Sequence, residues 1–425
     1  MDKDENNLIL AQSTASVDSI NAKFYGRFQF PWPPYAFSKP LDPDFEAVML
    51  NQSLGSWDHS AVPTDPRIWV AGCGTNQAVF TALQFPKASI LGTDLSVNSL
   101  ETAARNARAL GVTNLELKQE SINRTNYVEE FDYVICTGVI HHNAAPDETL
   151  RKLAAALKGT GVLELMVYNR YHRLVTTAFQ KAIRLFGGDA AEGDFERELE
   201  ITKKMMAGVK VNNLLTTFLE ENKGYPEAAL ADNLLQPVEY SYTVESLQEL
   251  ADGCGLELLA PCINQYDKAN DAFSWNMEFA DPDLQEQYDR LLDLRRWQIS
   301  NHLMFDRSPM LWFYVGRKDG GWRRKSEGQL CQEFLDLKFR KSDTKKIVYM
   351  RGDDGEYVAG EGTYPHPGQH RDALCRQIIN SVESQPSKPP REIFNQLRID
   401  TAFARVNMLR LRLTTNAFPY LVARP

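Results

Sequence analysis

Two glycines, Gly72 and Gly74, close the apolar run Ile68-Trp69-Val70-Ala71, and a lone carboxylate, Asp94, ends a second apolar run twenty residues beyond Gly74. Glycine lets backbone approach a ligand where a Cβ would collide. An acid at that distance is where doubly wound nucleotide folds grip ribose hydroxyls. Together these residues predict a site for a ribose-bearing ligand. Proton chemistry has its own candidates. His141 and His142 end the run FDYVICTGVIHH, and histidine is the side chain best tuned for acid–base work near neutral pH. Either serves as a base, or fixes its loop by hydrogen bonds. Tyr168 and Asn169 end VLELMVYN and are candidates for the wall of an acceptor pocket, with Tyr168 orienting the acceptor; His172 reads as a surface helical residue.

The elements that must position these residues follow from periodicity. Residues 97–110 carry apolar positions at helical spacing and stop at Gly111, a natural helix end. NLELKQES reads as a third strand running into Glu120. FDYVICTGVIHH reads as a fourth, a helix follows at about 147–158, and Val162 to Asn169 reads as a fifth strand. Strand–helix alternation of this kind argues a parallel sheet covered on both faces. A helix from Thr243, a strand GLELLAP and a strand MLWFYVGRK at 310–318 resume the pattern after a long interruption.

The glycine motif runs Gly72-Cys73-Gly74-Thr75-Asn76-Gln77, without the third glycine of a dinucleotide site. S-adenosylmethionine has the ribose and lacks the pyrophosphate. Taken in order, AGCGTNQ, TDLS, QESI, FDYVICTGVIHH and LKGTGVLELMVYN make residues 66–170 resemble a class I S-adenosylmethionine-dependent methyltransferase. The resemblance implies an α/β fold: a doubly wound, seven-stranded Rossmann-like sheet whose seventh strand is antiparallel and inserted between the fifth and sixth. It implies S-adenosyl-L-methionine as cofactor. Gly72, Cys73 and Gly74 would lie under the methionine arm, and Asp94 would take the ribose hydroxyls. Leu95 would pack near the adenine, Glu120 and Ser121 would face its edge, and backbone around Thr137 would hold the amino-acid end. Asn76 stands where the family more often has glycine; asparagine tolerates left-handed dihedrals better than most residues. FYGRFQFPWPP, Val139-Ile140-His141-His142 and LLQPVEYSYT further resemble a bacterial subgroup often fused to tetratricopeptide repeats, although no tandem helical repeat occurs here. In that subgroup the cluster Tyr25, Phe28, Trp32 and Tyr35 could close over the cofactor, since aromatic faces attract a sulfonium. It could equally be a strap on a sheet edge.

The 425 residues suffice for two or three domains. The expected organisation is a loosely ordered tail at 1–20, an aromatic and proline-rich lead-in at 21–65, a methyltransferase domain at 66–318 and a small α+β module at 325–425. Helical inserts at about 170–242 and 280–305 emerge at the ligand-binding edge of the sheet; they read as lid and acceptor pocket, or as a homodimer surface. Glu239 and Tyr240 reach the acceptor, or cap and pack the helix that follows. In the module, KKIVYMRGDDGEYVA is a hairpin by its alternation and its Asp-Asp-Gly turn, followed by two helices split at 386–390. A winged-helix-like unit that recognises a partner, or a structural cap, are both open readings.

A net charge of −9 argues against general affinity for nucleic-acid phosphates. Six cysteines without a C-x-x-C pair suggest a reducing cytoplasm and neither disulfides nor a zinc site. No apolar run reaches membrane-spanning length, and no metal site is expected. The expected function is methyl transfer to an oxygen or nitrogen of a small metabolite or peptide. The competing reading is a binding or scaffold protein that keeps the fold without turnover.

Overall fold

The computed structural model describes residues 14–29, 36–188, 194–263, 268, 273–321, 324–363 and 370–424. Its centre is a seven-stranded sheet. After β1 (Ala36–Pro40) come β2 (Arg67–Ala71), β3 (Ser89–Asp94), β4 (Leu115–Gln119), β5 (Phe131–Thr137), β6 (Leu157–Val167), β7 (Leu256–Pro261) and β8 (Leu311–Arg317). The order is β4-β3-β2-β5-β6-β8-β7, with β8 antiparallel to both neighbours, as the family resemblance implied.

Alternation along these strands fills both faces of the sheet. Trp69, Val134, Leu163 and Leu165 point into one core; Ile68, Val70, Tyr133 and Val162 point into the other. On the second face the run from Val162 continues as Glu164, Met166 and Tyr168, three half-buried residues that border a cavity instead of joining the core.

The N-terminal residues depart from expectation. Where a loose tail was anticipated, Thr14–Arg27 form a helix, α1, that buries Val17, Asp18, Asn21 and Phe24. Trp32 and Tyr35 of the aromatic cluster lie outside the described residues. The lead-in supplies β1 and α2 (Phe45–Ser53). Helices α3 (Gln77–Gln84), α4 (Val97–Ala109) and α5 (Pro146–Ala156) flank the sheet, and α6 (Arg170–Gly187), α7 (Phe195–Gly208), α8 (Leu214–Asn222) and α9 (Glu227–Leu234) form the first insert. The insert packs on α1 through Phe24, Phe28, Phe179, Phe195 and Leu230. Helix α10 (Val244–Gly253) opens with a capping box between Thr243 and Ser246. The second insert, helices Pro282–Asp289 and Asp293–Met304, does not serve as a lid: Trp297 is sealed into the core on the opposite face from the cavity.

The C-terminal residues contain the expected hairpin, β10 (Lys345–Arg351) with β11 (Tyr357–Thr363), but its sheet is completed by β1 from the lead-in. β12 (Leu421–Ala423) pairs with β9 (Phe339–Lys341). Four helices, Glu327–Asp336, Ala373–Ser384, Pro390–Leu397 and Phe403–Thr414, complete the unit. From α2, the Gln52 amide donates to the Thr414 and Leu421 carbonyls at 3.0 and 3.1 Å and accepts from the Ala423 N–H at 2.6 Å.

Candidate active site

The carboxyl ends of β2, β3, β5 and β6 open onto one cavity of about 760 Å³, within the roughly 300–1,000 Å³ usual for small-molecule sites. Gly72 and Gly74 turn there with φ of +74° and +53°. A Cβ on Gly72 would stand 2.5 Å from a Val139 methyl, so both conformation and space require glycine. Asn76 has φ −136° and begins α3, so the left-handed tolerance of asparagine is not used.

Asp94 ends β3 inside the cavity. One carboxylate oxygen accepts from the Gly74 N–H at 2.8 Å and the other from the Ser96 N–H at 2.8 Å. Burial pushes its pKa up, and the backbone donors Ser96, Gly74 and Leu95 oppose that. Beyond it lie Glu120, held by the Tyr127 hydroxyl at 2.6 Å and Lys118 at 2.7 Å, and Ser121, whose hydroxyl donates to Asp18 of α1 at 2.6 Å. The Thr137 hydroxyl donates to Gln77 at 2.9 Å. Gly72, Cys73, Gly74, Asp94, Leu95, Glu120, Ser121 and Thr137 all line this cavity. Burial pushes the Cys73 thiol well up, which removes it as a nucleophile.

The histidines divide. His142 lines the cavity with Nδ1 2.7 Å from the Val238 carbonyl, which leaves Nε2 as the ring's free lone pair. Burial lowers its pKa to about 4, so the ring is neutral near pH 7. His141 is fully buried off the cavity wall; neither ring nitrogen has a partner, and the ring stacks on Tyr168 at 4.0 Å between centroids. His141 therefore lacks the access that a base needs and supports Tyr168 instead. Tyr168 is on the cavity wall, with the Arg173 guanidinium 4.4 Å over its ring. Asn169 is buried as the cap of α6, and His172 is tied to the Ser308 carbonyl at 2.7 Å; neither lines the cavity. Glu239 is taken by Arg173 in two bonds of 2.7 and 2.6 Å, away from the cavity.

One group escaped the sequence reading. Asp232 of α9 projects into the cavity, where the Gln236 amide donates to it at 2.9 Å and the Tyr25 hydroxyl also bonds it. Burial raises its pKa to about 7, with Arg173 pulling the other way. Its sequence context, Ala-Asp-Asn-Leu in a helical insert, is that of a solvated helix face and gave no signal. Helix α1 closes the same side: Asp18, Asn21 and Tyr25 line the cavity, and the Asn21 amide donates to the His142 carbonyl at 2.8 Å. The functional reading of Tyr25 thus has a place, whereas Phe28 is buried against the insert.

The strand order, and the glycine turn with Asp94 beside it, are those expected of a class I S-adenosylmethionine-dependent methyltransferase domain. Residues 71–223 match the family model of a methyltransferase domain. An uncharacterized protein of Synechococcus sp. is 29% identical over 239 residues, 55% of this chain and 55% of that protein. A tRNA U34 carboxymethyltransferase of Desulfotalea psychrophila is 33% identical over 95 residues, 22% of this chain and 30% of that protein. The chain thus spans about half the length of the first relative and less of the second. Among solved structures, PKMT2 from Rickettsia typhi in complex with AdoHcy superposes with a TM-score of 0.55 at 15% identity, covering 92% of this chain and 77% of that one. At that identity the likeness is one of fold. Its coverage extends well beyond the residues of the family model.

The cavity fits the cofactor of that domain. Its glycine turn leaves room at the backbone, Asp94 offers a buried carboxylate for a ribose diol, and Leu95 and Ile122 supply apolar wall beside Glu120 and Ser121. Among the described residues no cluster suited to a metal ion occurs, and no helix is long and apolar enough to cross a membrane.

Proposed function

We propose that this protein transfers a methyl group from S-adenosylmethionine to an oxygen or nitrogen of a small molecule or peptide. The observation that carries the reading is convergence: the eight expected cofactor residues share one cavity with His142, Tyr168 and Asp232. The cofactor supplies an already activated methyl group on a sulfonium, so the protein's tasks are alignment and removal of the acceptor's proton. Asp232 is the base, since its carboxylate gains and loses a proton near neutral pH and borders the same space. Neutral His142 accepts a hydrogen bond through Nε2 and so orients the acceptor. Tyr168, wedged between His141 and Arg173, keeps its hydroxyl unionised as a fixed donor, because burial raises its pKa.

Calorimetric titration with S-adenosylhomocysteine, beside NADH, tests the cofactor; transfer from labelled methyl donor then tests turnover. Binding of the first alone is expected, and NADH binding in its place would overturn the reading. Net charge of −9 supports an acceptor other than nucleic acid. Six free cysteines support a reducing, cytoplasmic setting. Exposed Leu185, Phe186 and Leu214 on the first insert would suit a contact between two copies, which sedimentation would detect.

A further inference from the structure

The lining of the cavity continues below the strand ends, past Ile135 to Tyr133 on β5 and past Met166 to Glu164 on β6. An inner lobe runs down the face of β5 and β6, walled by Phe80 and Phe85 at α3 and by Trp312 of β8, with Asn416 from the C-terminal unit also on its wall. Glu164 faces into this lobe. The strand register sets Glu164 opposite Ile135 and Met166 opposite Thr137, so Glu164 lies two residues, roughly 7 Å, below the level of Thr137. Four residues, roughly 13 Å, separate it from Tyr168 on the same face.

The Glu164 carboxylate accepts from the Tyr133 hydroxyl and from the Trp312 indole N–H at 2.9 Å. Both donors are neutral, and no lysine or arginine forms an ion pair with it among the described residues. A carboxylate has about four lone-pair sites, so capacity remains on the side that faces the lobe. A desolvated acid without a counter-charge is costly, and aromatic walls beside it favour an organic cation.

We propose that this inner lobe binds a primary ammonium group of the methyl acceptor, at the far end of a flexible chain from the atom that is methylated. The inference rests on the methyl-transfer reading above. The ammonium itself sits too deep to react. Transfer needs the attacking atom within about 3–3.5 Å of the methyl carbon, and the residues that would hold the cofactor stand at or above the level of Thr137. Glu164 is thus a specificity residue. It selects acceptors with a charged terminus several bonds from the reacting atom, and Asn416 brings the C-terminal unit into acceptor recognition.

The test is calorimetry on the full chain saturated with S-adenosylhomocysteine, using 1,5-diaminopentane against 1,5-pentanediol. The diamine is expected to bind at least tenfold tighter than the diol. Glu164→Gln should abolish that difference while leaving S-adenosylhomocysteine affinity within about twofold. Equal binding of diamine and diol, or an advantage that survives Glu164→Gln, overturns the proposal. So does a tenfold loss of S-adenosylhomocysteine affinity in the variant, which would give the lobe to the cofactor's own ammonium. If Glu164→Gln fails to fold, the diamine–diol contrast is measured in Asp232→Asn, where it should persist; its loss there would give the ammonium to Asp232 and overturn the proposal. Failure of S-adenosylhomocysteine to bind the unaltered chain would sink the methyltransferase reading instead, and the same contrast on the free chain then decides the lobe.

Discussion

Asp94 does two jobs: it orders the glycine turn through Gly74 and Ser96, and its oxygens remain at the cavity edge. Asp94→Ala should weaken S-adenosylhomocysteine binding by about 1.5–3 kcal/mol, the scale of a hydrogen bond to a charged group; unchanged affinity by calorimetry would remove the ribose assignment. Asp232 carries a different signature. With a pKa of about 7, its carboxylate is the minor form in mild acid and the major form in mild base. The rate should therefore rise with pH through 7 and level off above it. Asp232→Asn should lower kcat by about 10²–10⁴, the usual share of a positioned base, and erase that rise while cofactor affinity holds. An unaltered kcat–pH profile would reassign the proton to solvent. Asp94 was legible because glycine turn and acid lie at a fixed spacing along one chain. Asp232 was not, because nothing local separates a helical aspartate aimed at solvent from one aimed at a cavity.

Two elements hold buried charge whose energetics can be read directly. On α2, Glu46 is 3% exposed, one carboxylate oxygen has no partner, and burial raises its pKa to about 7. A carboxyl whose folded pKa exceeds its unfolded value near 4.5 binds more protons folded than unfolded between those limits. Its contribution to stability is accordingly full below about 4.5 and is lost as pH rises to 7. Glu46→Gln should thus gain about 1–3 kcal/mol at pH 8 by denaturant unfolding, with the gain shrinking towards pH 4.5. A pH-independent difference would mean that the acid has found another partner. On α6, Arg173 and Glu239 form a buried pair. Arg173→Met leaves Glu239 uncompensated and should cost about 3–5 kcal/mol in the same assay. The strands themselves were legible from alternation and the start of α10 from the Thr243 context, whereas the sheet order came only with the family resemblance. Helix α1 was not legible, since its mixed, polar composition hides a buried stripe that only the insert's Phe179 and Phe195 complete.

The molecule is laced across its length. β1 joins the sheet of β10 and β11, and Gln52 bridges to both Thr414 and the β12 strand. Arg296 reaches from the second insert to Glu327 at 3.0 Å, both buried. Heat should accordingly unfold the protein in one calorimetric transition; two resolved transitions would show that the C-terminal unit is thermally independent. A sequence read in order suggests a tail appended to an enzyme, because contacts between residues 36–53 and 345–423 leave no local trace. The hairpin was visible in its alternation and turn, whereas the strand that completes its sheet was not. One consequence of Asn416 standing on the cavity wall concerns damage at a distance: a lesion that loosens residues 370–424 disturbs the same cavity that Gly72 and Asp94 line, far away along the chain.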